Sequence, residues 1–162
     1  MSSSTGFTTC LWFDGDAEAA ADYYLSVFKD GKRGRTVRRN EAVPGPGGEV
    51  LSIEFEINGQ KFLGLNGGPQ FPFTEAVSFM IHCADEAEAD YYYDELSGNG
   101  GEESACGWVK DRFGLSWQVV PAGTLDLIAD PDPGRAARAT AAMMTMKKLD
   151  VAHMRRAADA EG

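Results

Sequence analysis

A chain of 162 residues with 43% hydrophobic and 10% aromatic side chains can pack one domain or two small halves, which excludes wholesale disorder. Its formal charge of −10 argues against nucleic acid as a partner, because phosphate binding needs a basic face. Apolar runs are short and broken by charge, which excludes a hydrophobic membrane-spanning helix, and three cysteines at no ligand-like spacing point to a reducing cytoplasm rather than a disulfide framework.

The opening stretch Met1-Ser2-Ser3-Ser4-Thr5-Gly6 has no basic flank and no apolar core, so no secretory signal is expected. Phe7 to Phe13 reads as a short strand. Asp14, Asp16 and Glu18 then open a helix at its positive dipole end. Gly31 to Asn40 reads as a strand carrying most of a basic cluster: Lys29, Lys32, Arg33, Arg35, Arg38 and Arg39. Such a cluster either protects an edge strand from mispairing or holds an anion. Asn40 to Gly48 contains Pro44-Gly45-Pro46-Gly47-Gly48 and reads as a connection. From Val50 to Ile57, Leu51, Ile53, Phe55 and Ile57 alternate onto one face of a half-buried strand. Asn58-Gly59 is a hairpin signal leading into Gln60 to Asn66.

The sequence then repeats itself. Ala17-Glu18-Ala19-Ala20-Ala21-Asp22-Tyr23-Tyr24 returns as Ala87-Glu88-Ala89-Asp90-Tyr91-Tyr92, again behind a short apolar run, Val77 to Cys83. Cys106 to Lys110 and Leu115 to Val120 form a hairpin around Phe113-Gly114. Each half thus reads β-α-β-β-β, over about 7–67 and 77–121, and together they are expected to form one α+β domain, residues 1–121. Residues 122–162 read as a helical extension: a turn or two at Thr124 to Asp130, a break at Pro131-Asp132-Pro133-Gly134, and a helix over 135–159. Ala139, Ala142, Met143 and Met146 recur there at helical spacing as a packing stripe. The body, residues 1–133, holds 9 Lys/Arg against 22 Asp/Glu, whereas 134–162 holds 6 against 3, so the tail complements an acidic body.

Several stretches carry a family resemblance: Leu11-Trp12-Phe13-Asp14-Gly15, Leu65-Asn66-Gly67-Gly68-Pro69, the run from Cys106-Gly107-Trp108 through Phe113-Gly114-Leu115-Ser116-Trp117-Gln118 to Pro121, and Met146-Lys147-Lys148-Leu149-Asp150. Over nearly its whole length the chain resembles PhnB-like proteins of the glyoxalase/vicinal-oxygen-chelate group. Members often carry the description 3-demethylubiquinone-9 3-methyltransferase. The resemblance implies two curled mixed sheets around a small-molecule cavity, and usually a homodimer.

Metal-dependent relatives place one His, Glu or Gln ligand on each of four strands. Carried over by position, those sites fall on Thr9, on Leu63 or Gly64, on Val77 or Ser78, and on Gln118. A single Gln cannot hold a divalent ion, so no metal is expected. A methyltransferase cofactor would need a glycine-rich strand-to-helix turn, but Gly45, Gly47 and Gly48 lie between two strands. No cofactor is therefore expected. The candidate cavity residues are Gln118 and, by alternation, Ser116 and Val120, joined by Thr9, Leu11 and Phe13 on the first strand, with Trp12, Trp117 and Val119 turned to the helices. Asn66 and Gln60 offer polar contacts, although Asn beside Gly also serves turns, and His82 ends a strand near the cavity. Cys106 lacks the base or positive field that a nucleophile needs. The function expected is binding of a small molecule without metal. The alternatives are an enzyme on a small organic substrate and a purely dimerising module. Nucleic acid and membrane are not expected partners.

Overall fold

The computed structural model describes residues 5–160. The N-terminal stretch read for a secretory signal begins in residues 1–4, which lie outside the described part. Among the described residues no helix is long and apolar enough to cross a membrane. The chain divides into two compact units between Phe73 and Thr74.

The first unit runs β1 (Thr9–Phe13), α1 (Ala17–Val27), β2 (Lys32–Arg38), β3 (Val50–Ile57) and β4 (Gln60–Asn66). Its sheet has the order β1-β4-β3-β2, with β1 parallel to β4 and the other pairs antiparallel. The alternation of β3 places Ile53, Phe55 and Ile57 in the core, under Ala17, Ala20, Ala21, Tyr24 and Val27 of α1. Phe55 stacks on Phe62 at 5.2 Å between ring centroids, and Tyr24 lies 6.0 Å from Phe55. Asn58 and Gly59 both take positive φ, 51° and 73°, which is the backbone a two-residue hairpin with the strand twist demands. The basic strand β2 is an edge of the sheet. Its Arg33 pairs with Glu18 and Asp22, and its Arg35 with Glu54, so these charges serve the edge and its neighbours.

The second unit repeats the plan. It runs β5 (Ser78–Cys83), α2 (Glu86–Ser97), β6 (Glu102–Glu103), β7 (Trp108–Lys110) and β8 (Ser116–Pro121), with sheet order β5-β8-β7-β6 and β5 parallel to β8. Ala89, Tyr93 and Leu96 of α2 are buried with Val109, Trp117 and Val119. Asp85 caps α2, its carboxylate accepting from Glu88 N at 2.8 Å. Buried Asp111 organises the β7–β8 hairpin by accepting from Phe113 N, Leu115 N and Trp117 Nε1 at 2.9, 3.1 and 2.8 Å. Both sheets are four-stranded and open-edged. The expected pair of βαβββ modules is thus present.

The tail departs from the single helix expected over 135–159. It forms α3 (Thr124–Ile128), α4 (Pro133–Met143) and α5 (Val151–Asp159). The break has a physical cause: the carbonyls of Met146 and Lys147 accept from Cys106 N at 2.8 Å and Gly107 N at 2.7 Å. Backbone acceptors needed to continue the helix are engaged by the β6–β7 connection instead. Asp150 then restarts the helix by accepting from His153 N at 3.1 Å. Leu127, Ala139, Met154 and Ala158 are buried together, with Ala142, Met143 and Met146 packed against them. The stripe read from the sequence is therefore interior to a small core of the tail's own. Lys148 fastens that core to α2, its Nζ 3.1 Å from Asp94 and 3.2 Å from Asp90.

Candidate functional site

Each sheet has one face under its helix and one turned away. In the second unit Val109, Trp117 and Phe79 share a register line, as do Ile81 and Val119, and these lie on the helix side. Alternation turns Ser78, Met80, His82, Trp108, Lys110, Ser116, Gln118 and Val120 to the other side. Ser116, Gln118 and Val120 therefore share one face of this sheet, and Trp117 and Val119 the other. Gln118 stands between Met80 and Trp108 in register. Its Nε2 donates to Ser78 Oγ at 3.0 Å. Ser116 is buried between Ser78 and Lys110, and Lys110 pairs with Glu75, which raises the Lys110 pKa and lowers that of Glu75. His82 is exposed at the strand end, opposite Val120.

The first unit corrects the reading. Leu11 stands beside Gly64 in the parallel pair, and a Cβ on Gly64 would lie 3.2 Å from the Ala17 side chain. That face is under α1. Leu11 and Phe13 are buried there, and Thr9 shares their side. The turned-away positions are instead Cys10 and Trp12 on β1, with Leu63 and Leu65 on β4. The cause is one residue. Phe13 opposite Asn66 corresponds to Cys83 opposite Pro121. Two residues, Asp14-Gly15, separate Phe13 from Asp16, but only Ala84 separates Cys83 from Asp85. Gly15, at φ 86°, absorbs the addition. Counting back from the helix therefore lands on the wrong face, since a one-residue slip inverts a strand.

Asn66 is also corrected. It is buried on the helix side, where its Oδ1 accepts from Ala17 N at 2.9 Å and its Nδ2 donates to Val50 O at 3.0 Å. It does for α1 what Asp16 does not, because Asp16 makes no side-chain cap. Asn66 is a clamp rather than a ligand contact.

Two hollows are present within single units. One, of about 770 Å³, is formed by the 40–47 connection and contains no residue expected at the site. The other, of about 400 Å³, lies at the ends of β5 and β8 and is lined by His82, Val120, Glu88, Leu125 and Asp126 among others. Cys83 at its wall is pushed up to about 11 by burial, with Glu88 and Asp85 adding to the effect, so its thiol stays protonated at neutral pH.

The donor chemistry of these faces does not fit a divalent metal. The turned-away strand positions offer one imidazole, one thiol and one amide on the two parallel pairs, and among the described residues no group of three His, Cys, Asp or Glu side chains is placed to hold an ion. Nor do the strand-to-helix turns, Asp14-Gly15-Asp16 and Ala84-Asp85, supply the glycine-rich backbone that cradles a nucleotide-type cofactor.

Two successive βαβββ modules, each with its outer strands parallel and bridged by a helix, have the fold of the glyoxalase/vicinal-oxygen-chelate proteins. More narrowly, the chain belongs to the 3-demethylubiquinone-9 3-methyltransferase family, whose model matches residues 5–120, and it is PhnB-like. A PhnB protein from Bacillus cereus is 32% identical, with a TM-score of 0.65, over 73% of this chain and 100% of that one. A protein from Pseudomonas aeruginosa shares the fold at 19% identity and TM-score 0.59, over 73% and 98% of the two chains. A genomically encoded fosfomycin resistance protein from Listeria monocytogenes does so at 16% and 0.50, over 78% and 95%. Comparison with curated proteins found no match.

Proposed function

We propose that this protein binds a small organic molecule, without a metal ion, on the turned-away face of its second sheet. The observation that carries the reading is the setting of Gln118. One amide N–H is committed to Ser78 Oγ, which fixes the plane of the amide and leaves its oxygen to receive a ligand donor. Met80, 43% exposed, and half-buried Trp108 flank it in register as apolar surfaces. A few fixed polar groups among apolar ones are the usual composition of an organic-ligand site. The test is a thermal-shift panel of aromatic and aliphatic acids, amides and phenols, run on wild type and on Gln118→Ala. Stabilisation by a compound class that disappears in Gln118→Ala supports the reading. Equal stabilisation of both proteins, or a response to divalent metals alone, overturns it.

The family description favours a second reading, an enzyme acting on a small organic substrate. Titration calorimetry with S-adenosylmethionine separates the two. No heat of binding is expected, and a micromolar Kd would move the assignment to the enzyme.

The three free thiols suit a reducing compartment, and the cytoplasm is the proposed location. A homodimer is proposed as well. Phe71, Val77 and Met80 are large apolar side chains left exposed by this chain alone. Light scattering at tens of micromolar should exceed the single-chain mass, and a value near 17.5 kDa would refute the dimer.

A further inference from the structure

The β6–β7 connection and the α4–α5 connection bring two sulfur atoms together in the second unit. Cys106 Sγ lies 3.7 Å from Met144 Sδ, and 3.6 Å from the carbonyl oxygen of Met143. We propose that Cys106 and Met144 form a soft-metal site that takes copper(I).

Three observations carry this. The first is the donor set. A thiolate with a thioether selects a soft monovalent ion over zinc, magnesium or manganese, which want nitrogen or oxygen donors or a fuller sulfur shell. The second is the spacing. Two metal–sulfur bonds of about 2.3 Å span 3.7 Å when they meet at roughly the tetrahedral angle, so the observed separation is one that a shared ion can bridge. The third is how the pair is held and reached. Cys106 sits at φ 59°, and its N–H is fixed to Met146 O at 2.8 Å. The next N–H, of Gly107, is fixed to Lys147 O at 2.7 Å. The same short segment therefore presents Met144 and anchors Cys106. Met144 is 64% exposed, an unusual position for a thioether with a packed tail core beside it. The ion can arrive from solvent, and its remaining positions stay open to an external thiol.

Binding replaces the Cys106 S–H bond with an S–Cu bond and releases one proton to solvent. Copper enters and remains as copper(I), so no electron is transferred.

The experiment uses the full chain with Cys10→Ser, which removes the exposed competing thiol. Copper(I) is titrated anaerobically against a chromophoric copper(I) chelator. One copper per chain is expected, with Cys106→Ala abolishing it and Met144→Leu weakening it by about tenfold or more. Met144 is on the surface, so its variant retains the fold. X-ray absorption should show one fewer sulfur neighbour in Met144→Leu than in the parent. Unchanged copper affinity in either variant overturns the proposal, as does a metal shell of nitrogen and oxygen alone.

Discussion

Asn66→Ala tests the clamp that joins the end of β4 to the start of α1. The substitution removes the acceptor of Ala17 N and the donor to Val50 O, two bonds of 2.9 and 3.0 Å made by one buried amide. Loss of a helix cap costs about 1 kcal/mol, and loss of a second, partly buried hydrogen bond costs about 1 more. The expected destabilisation is therefore roughly 2 kcal/mol, a fall in melting temperature of roughly 4–8 °C for a chain of this size. Urea denaturation followed by circular dichroism measures it, with two controls. Asp16→Ala should change the midpoint little, within about 0.5 kcal/mol, because Asp16 makes no cap bond and contributes only its charge near the helix dipole. Asp85→Ala should cost about 1 kcal/mol, because Asp85 does cap its helix. If Asn66→Ala were no worse than Asp16→Ala, the assignment of Asn66 as the cap of α1 would be wrong.

Asp111→Ala strips three donors of their shared acceptor, and should cost about 3–5 kcal/mol with a red shift of Trp117 emission; an unchanged spectrum and midpoint would refute the role. Because the folded-state pKa of Cys83 is raised to about 11 while the unfolded thiol titrates near ~8.5, the unfolded chain loses its proton first as pH rises. The Cys83 contribution should accordingly be flat below that range and decline from about pH 9 towards 11, so the stability of wild type relative to Cys83→Ala should fall over that range in a pH series of urea midpoints. Lys148→Ala removes the pairing with Asp90 and Asp94 and the contact 5.1 Å above the Tyr93 ring. About 1 kcal/mol is expected, read as faster amide exchange in α4 and α5, whereas unchanged exchange would show that Lys148 does not fasten the tail.

The bounds of β3 and β4 coincide with those read from the sequence because alternation and the Asn58-Gly59 turn are local signals. The repeat of the helix motif likewise locates both modules. What went unread is non-local. Asn66 finds Ala17 across 49 positions, and no spacing rule announces that partner. Strand β6 is Glu102-Glu103, two acidic residues with no apolar pattern to mark them. The tail helix is interrupted by acceptors lent to Cys106 and Gly107, far back in the chain. On β1 the face is inverted by Gly15, whose effect appears only when the two parallel pairs are aligned by register.

Each sheet is drawn entirely from one uninterrupted stretch of chain. The widest pairing of the first, Thr9 opposite Phe62, is complete before Ser78 opens the second. During synthesis the first four strands and α1 can therefore find every one of their sheet partners while the second module is still being made. The tail docks on the module that immediately precedes it in the chain. Such an order keeps loop closures short and shortens the time for which strand edges stand bare on the ribosome.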